Sequence, residues 1–277
     1  MPLADLTTLA HQSREHGRGL GAFNVIHLEH AETFVAAAER ADLPVVLQIS
    51  QNAVKYHGRL EPIAAGTLAV ARAAGVPTVV HLDHADDTGL VAEALDLGFT
   101  SIMYDGSRLP AEENIATTAS VVADAHARGV SVEAELGEIG GKNGVHDPSV
   151  RTDPGEAAEF VAATGVDLLA VAVGSSHAMT TRGAVLDTDL IAAIAAAVDT
   201  PLVLHGSSGV SDEGMRAAIA AGMTKINVST HLNQIFTGSV RETLVADADL
   251  VDTRKWFAPA GEAVGAEVER LLRWYAG

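Results

Sequence analysis

Cysteine is absent from the 277 residues, which excludes disulfides and thiolate-held metals, so any metal must rest on histidine and carboxylate. Aromatics are scarce, 4% against 48% hydrophobic residues, and the apolar share is carried by alanine, valine and leucine. Alanine-rich amphipathic helices around a valine-rich sheet give that balance. Positive charge is also short: 18 Lys+Arg against 36 Asp+Glu leave a formal net charge of −18. That excess argues against a nucleic-acid partner, whose phosphates need a basic surface. It leaves small anions open, because backbone N–H groups at helix N-termini can hold a phosphate. No apolar run approaches the ~20 residues of a membrane span. The opening Met1-Pro2-Leu3-Ala4-Asp5 lacks a basic segment followed by an apolar one. The expectation is a soluble, cytoplasmic protein with no membrane association.

What the chain does have is a regular alternation. Apolar runs near Leu20–Val25, Val45–Ile49, Thr78–Leu82, Ser101–Tyr104, Ser131–Leu136, Leu168–Val173, Leu202–Leu204 and Lys225–Val228 read as strands. Alanine-rich stretches near Glu29–Ala41, Glu61–Ala74, Thr88–Leu97, Ala111–Arg128, Pro154–Thr164, Asp189–Val198, Asp212–Ala221 and Thr230–Ala246 read as helices. Gly75, Gly98, Gly129, Gly165 and Gly222 punctuate the helix ends, and Pro44, Pro77 and Pro201 sit just ahead of strands. Eight strand–helix units imply an α/β fold, a single (β/α)8 TIM barrel over residues 1–277. An extra N-terminal helix capped by Asp5 precedes it, and a C-terminal helix from about Pro259 to Tyr275 follows. An open doubly wound sheet is the runner-up, but no Gly-x-Gly-x-x-Gly follows the first strand. Trp256, Phe257, Trp274 and Tyr275 cluster near the C-terminus, as a docking or oligomer surface or as packing on the barrel.

A barrel enzyme carries its chemistry at the C-terminal ends of its strands. Polar residues stand at every one: Asn24; Gln48 and Ser50; Asp83 and His84; Asp105; Glu133 and Glu135; His177; His205; Asn227. Catalytic zinc takes three protein ligands and leaves a position open. His84, His177 and His205 are the three histidines at strand ends on different strands, with Glu135 and Asp105 as further candidate ligands or anchors. His11, His16, His30, His57, His126 and His231 fall on helical or loop stretches where a solvated imidazole is expected. His81 reads as packed inside, and Asp86 and Asp87 as helix-start residues. The loop His205-Gly206-Ser207-Ser208-Gly209, leading to a helix that Asp212 can cap, and the run Asn227-Val228-Ser229-Thr230 both aim small donors at helix starts. They make a candidate phosphate site.

With these residues in view, the chain resembles the class II, zinc-dependent ketose-bisphosphate aldolases over nearly its whole length. The resemblance rests on Ala22-Phe23-Asn24-Val25, Leu47-Gln48-Ile49-Ser50, His81-Leu82-Asp83-His84, Val132-Glu133-Ala134-Glu135-Leu136-Gly137 with Gly140-Gly141, Leu204 to Gly209, Lys225 to Thr230, and Asp252-Thr253-Arg254-Lys255. It implies zinc on His84, His177 and His205, Asp83 as acid/base at the substrate's C4 hydroxyl, and Asn227 at the dihydroxyacetone portion. Ser208, Ser229, Thr230 and the Gly206 backbone would hold the C1 phosphate. It also implies a sugar-phosphate substrate, fructose or tagatose 1,6-bisphosphate, reversibly cleaved to dihydroxyacetone phosphate and glyceraldehyde 3-phosphate. A homodimer or homotetramer, a monovalent-cation site, and an arginine reaching a phosphate, Arg241 or Arg254, belong to the same resemblance.

Two stretches depart from the family. His177-Ala178-Met179-Thr180-Thr181-Arg182 stands where a glycine and a lysine-containing segment are usual, and the loop Gly140 to Asp147 has no glutamate, leaving His146 or Asp147 to substitute. An aldolase for a different sugar phosphate or aldehyde is therefore the second reading. A non-catalytic aldolase-like subunit is the third, opposed by the presence of Asp83 and all three histidines. A zinc hydrolase is the fourth, and the first strand has no His-x-His pair to support it.

Overall fold

The computed structural model describes residues 3–136, 151–177 and 179–277. Strands β1 (Leu20–Asn24), β2 (Val45–Ser50), β3 (Thr78–Ala85), β4 (Ser101–Tyr104), β5 (Ser131–Glu135), β6 (Leu168–Ala170), β7 (Leu202–Leu204) and β8 (Met223–Val228) pair in parallel and in order. The sheet closes when β1 pairs with β8, Ala22 opposite Asn227. Helices α1 (Leu6–Glu15), α2 (Leu28–Ala41), α3 (Gln51–His57), α4 (Glu61–Ala73), α5 (Thr88–Leu97), α6 (Ala111–His126), α7 (Pro154–Thr164), α8 (Thr188–Ala197), α9 (Asp212–Ala220), α10 (Thr230–Ala246) and α11 (Arg254–Ala276) accompany it. The expected TIM barrel, with its added terminal helices, is the fold.

Strand parity builds two apolar layers. Outward residues such as Phe23, Val80, Ile102 and Ile226 pack under the helices, each fully buried. Inward Leu20, Val46, Val79 and Val203 meet Leu6 and Ala10 of α1, which crosses the N-terminal end of the barrel and closes it. Asp5 caps α1 through Thr8 N–H, Ala4 N–H donates to the Thr78 carbonyl, and the Thr7 hydroxyl donates to Ser131 Oγ at 2.8 Å. Polar side chains are displaced to the opposite mouth.

Several expectations need correction. β3 does not stop at Leu82 but runs to Ala85, with a register shift against β4 that lets Asp83 and His84 belong to the strand itself. Helix α3 was not anticipated; Ser50 caps it by accepting from Ala53 N–H, so this strand-end serine has a local partner. Ser211, not Asp212, caps α9, and Asp86 does not start a helix: its carboxylate accepts from Gln51 Nε2 at 2.6 Å, while Asp87 caps α5. The last helix begins five residues early, at Arg254, and contains Pro259 in its second turn, where the ring removes one bond and crowds the preceding turn. His30 is 5% exposed rather than solvated, stacked on Phe34 and edge-on to Phe236. Of the C-terminal aromatics, Phe257 packs on Phe236 and His27, and Tyr275 is buried under the barrel wall. Gly75 is not a left-handed cap, whereas Gly98 and Gly165 are.

Candidate active site

The strand ends deliver their polar side chains to one cavity. Asn24, Gln48, Ser50, Asp83, His84, His177, Gly206, Ser208, Asn227, Ser229 and Thr230 all line it. Ser207, from the expected glycine–serine loop, lines it too, as does Asn52, which sequence reasoning missed because it belongs to the unanticipated α3. The expected site residues thus converge, and Asp105 and Glu135 stand behind the histidines. Arg241 and Arg254 do not line the cavity, and Arg254 pairs instead with Asp252 at 2.9 Å. The loop from Gly140 to Asp147 and Ala178, where the chain departs from the family, lie outside the described residues.

His84, His177 and His205 each place a ring nitrogen within 4.8 Å of the others. Their rings stand 4.4 Å (His84 to His205), 5.1 Å (His84 to His177) and 5.7 Å (His177 to His205) apart. His84 reaches this position with a left-handed backbone, φ 50°, an uncommon conformation for a non-glycine residue. Its Nδ1 lies 2.8 Å from Asp105 Oδ2, which leaves Nε2 for the centre of the cluster. His205 is held the other way round: Nε2 bonds Glu133 Oε1 at 3.0 Å, and the buried Nδ1 lies 3.3 Å from Glu135 Oε2. The His84 arrangement, one nitrogen held by a carboxylate and the other turned to the cluster, is how protein metal ligands are oriented. The donor set fits a zinc ion. His84, Asp105 and Glu135 form a second group within the same 4.8 Å spacing.

The local field favours a cation. Burial opposes charge on His84, but the Asp83 carboxylate and the bond to Asp105 outweigh it and push its pKa up to about 10. For Asp83, burial would raise the pKa; neighbouring His84, Lys225 and His205 pull it below the ordinary carboxylate value. Glu133 is likewise lowered against burial, first by Lys225 and then by its bond to His205. Asp83 therefore stays an anion beside the imidazoles. It accepts from Asn24 Nδ2 at 2.9 Å and from Asn227 Nδ2 at 3.3 Å.

On the β7–β8 side, Gly206 turns with φ +65°, and Ser207–Gly209 form a single 3-10 turn. The Ser207 hydroxyl is committed to the Asn227 carbonyl, whereas Ser208 Oγ accepts from His231 N–H at 3.1 Å and keeps its own proton to donate. The Ser229 side chain makes no cap bond to α10, so beyond the His231 N–H that Ser208 takes, first-turn donors face the anion site of this seventeen-residue helix.

A barrel whose strand ends gather three imidazoles, an ionised carboxylate and helix-start N–H donors has the groups that metal-assisted chemistry on a small anion calls for. The comparisons narrow the class. The family model for fructose-bisphosphate aldolase class-II matches residues 4–276. A protein named probable fructose-bisphosphate aldolase from Bacillus subtilis is 40% identical over 99% of this chain and 97% of its own. A fructose-bisphosphate aldolase from Staphylococcus epidermidis is 37% identical over the same shares, 99% and 97%. Among solved structures, a putative fructose-1,6-bisphosphate aldolase from Coccidioides immitis superposes with TM-score 0.87 at 33% identity, covering 99% of this chain and 97% of that one. The YdjI aldolase of Escherichia coli K12 gives 0.86 at 30% identity over 99% and 97%. The chain belongs to the class II fructose-bisphosphate aldolase family and is a carbon–carbon lyase.

Proposed function

We propose that this protein is a zinc-dependent aldolase that reversibly cleaves a ketose 1,6-bisphosphate, fructose or tagatose, to dihydroxyacetone phosphate and glyceraldehyde 3-phosphate. The observation that carries the reading is the juxtaposition of Asp83, His84 and His177 in one cavity, with the buried His205 clustered against both histidines and Ser208 and the start of α10 beside them. His84, His177 and His205 would hold zinc, which supplies Lewis-acid stabilisation of negative charge at the substrate's carbonyl oxygen. Gly206, Ser208, Ser229 and Thr230 take the C1 phosphate, and Asn227 the dihydroxyacetone portion. Gln48, Ser50 and Asn24 line the wall facing them. Asp83, ionised and fixed by two amides, removes the C4 hydroxyl proton as the C3–C4 bond breaks. In the reverse direction it returns that proton.

The sugar-phosphate substrate, a cytoplasmic place in carbohydrate metabolism, a homo-oligomer and a monovalent cation beside the phosphate complete the reading. Cleavage of fructose and tagatose bisphosphates, measured with and without a chelator alongside zinc content, tests it. Stoichiometric zinc and chelator-sensitive cleavage of one sugar are expected. Chelator-resistant cleavage would overturn the zinc mechanism. Zinc without cleavage of either sugar would overturn the substrate assignment in favour of another sugar phosphate.

A further inference from the structure

Lys225 lies inside β8 with its side chain fully buried, at the base of the site. It is two residues before Asn227, hence on the same inward face. Its ammonium nitrogen stands 2.9 Å from Glu133 Oε2, donates to Asn227 Oδ1 at 2.7 Å and to Gln48 Oε1 at 3.3 Å. Two donors meet amide oxygens, the ammonium pairs with Glu133, and the side chain has no solvent exposure, so this lysine does not reach substrate. Burying an ammonium is costly, and a well-packed apolar pair holds a core as well or better, so stability alone is a poor reason to keep it.

An ammonium can only donate. Both amides beside it must therefore turn their oxygens toward it and their NH2 groups away. The Gln48 NH2 then donates to Asn24 Oδ1 at 2.8 Å, which obliges the Asn24 NH2 to face outward, and it donates to Asp83 Oδ2 at 2.9 Å. The Asn227 NH2 donates to Asp83 Oδ1 at 3.3 Å. Lys225, Gln48, Asn24, Asp83 and Asn227 form a closed ring of hydrogen bonds whose every direction is dictated by a cation at one end and an anion at the other. Without the cation only the carboxylate holds these directions, and the buried oxygens of Gln48 and Asn227 lose the donor that anchors each arm.

We infer that Lys225 is a positioning residue for the aldol reaction: through Gln48–Asn24 on one arm and Asn227 on the other, it orients two N–H donors onto the two oxygens of Asp83. The inference rests on the proposed role of Asp83. The ring fixes the plane of the carboxylate and leaves its cavity-facing lone pairs for the proton in transfer.

The test is a pair of substitutions and their combination, assayed in the zinc-loaded, full-length protein with fructose or tagatose bisphosphate, whichever is cleaved. Lys225→Met, which keeps length and removes all donors, should lower kcat by about 100-fold, the scale of misplacing a catalytic group. KM should stay within about threefold, the signature of an interaction that matters in the transition state, with zinc content unchanged. In an Asn227→Ala background the same substitution should cost less than about tenfold, because the arm it acts through is already gone. An unchanged kcat, or losses that multiply independently, would overturn the inference. If Lys225→Met does not fold, Gln48→Met leaves the Lys225–Glu133 pair intact and carries the test. A fall in kcat at constant KM supports the relay, and a rise in KM at constant kcat overturns it. Asp83→Ala separates the two ideas. If it leaves the rate intact, the role of Asp83 fails; if it abolishes the rate while Lys225→Met does not, only the relay fails.

Discussion

Nδ1 of His84 on β3 is bonded at 2.8 Å to Oδ2 of Asp105, just beyond the end of β4, and it is this bond that settles which nitrogen of His84 faces the cavity. The left-handed backbone of His84 and the register shift between β3 and β4 bring the two side chains together. Removing the carboxylate frees the ring to turn. Asp105→Ala should therefore weaken zinc binding by about 10–100-fold, the usual cost of losing a partner behind a metal ligand. Competition against a fluorescent chelator measures it, and an unchanged affinity would show that Asp105 does not orient His84.

Asp83 contributes no atom to the three-imidazole cluster, yet it adjoins His84 in sequence. Asp83→Ala should retain zinc while losing about 10²–10⁴ in kcat, the range for a general acid–base group. Metal analysis and steady-state kinetics on the same preparation separate the two effects.

At Gly206 a Cβ would lie 2.6 Å from the Ser176 backbone, and φ is +65°. Gly206→Ala should cost about 1–2 kcal/mol for the left-handed conformation alone, before the clash is counted. Because the displaced loop carries Ser208 and follows His205, a lowered Tm should be joined by a raised KM for the sugar phosphate. A raised KM without any fall in Tm would argue against this account.

His30 supplies a pH dependence remote from the catalytic centre. Burial, reinforced by His27, lowers its pKa from 6.5 to about 4. The folded protein therefore keeps His30 neutral where the unfolded chain would already bind a proton. The resulting stability is complete above pH 6.5 and is lost as pH falls from there toward 4. His30→Phe preserves the contacts with Phe34 and Phe236 and removes the titration. Urea unfolding between pH 7 and 4 should show a shallower acid decline for the variant than for wild type; equal declines would sink the assignment.

Much of this was legible beforehand because period and punctuation are local. Gly98 and Gly165 end their helices as left-handed caps, and inward parity on β5 sets Glu133 and Glu135 on the same face. The strand-end histidines were readable for the same reason, since a closed barrel leaves strand ends only one place to meet. What escaped depended on partners distant in sequence. Lys225 reads as an ordinary strand opener until β8 is seen to begin at Met223, although its two-residue offset from Asn227 already put both on one face. His30 looked solvated because nothing on α2 announces that Phe236 of α10 will cover it. Helix α3 is only seven residues and reads as loop, too short for apolar periodicity to appear.

The apolar floor formed by α1 against Leu20, Val46, Val79 and Val203 fills the far end of the barrel, so the cavity above it meets ions and water at the strand-end mouth. The Lys225–Glu133 pair sits near its bottom, both side chains fully buried, while the Ser208 and Thr230 cradle lies at the open rim. Mobile ions screen exposed charges far more than buried ones. Added salt should thus compete with a phosphate at the rim and leave the orientation of Asp83 untouched, so that ionic strength acts on substrate capture and not on the proton-transfer step.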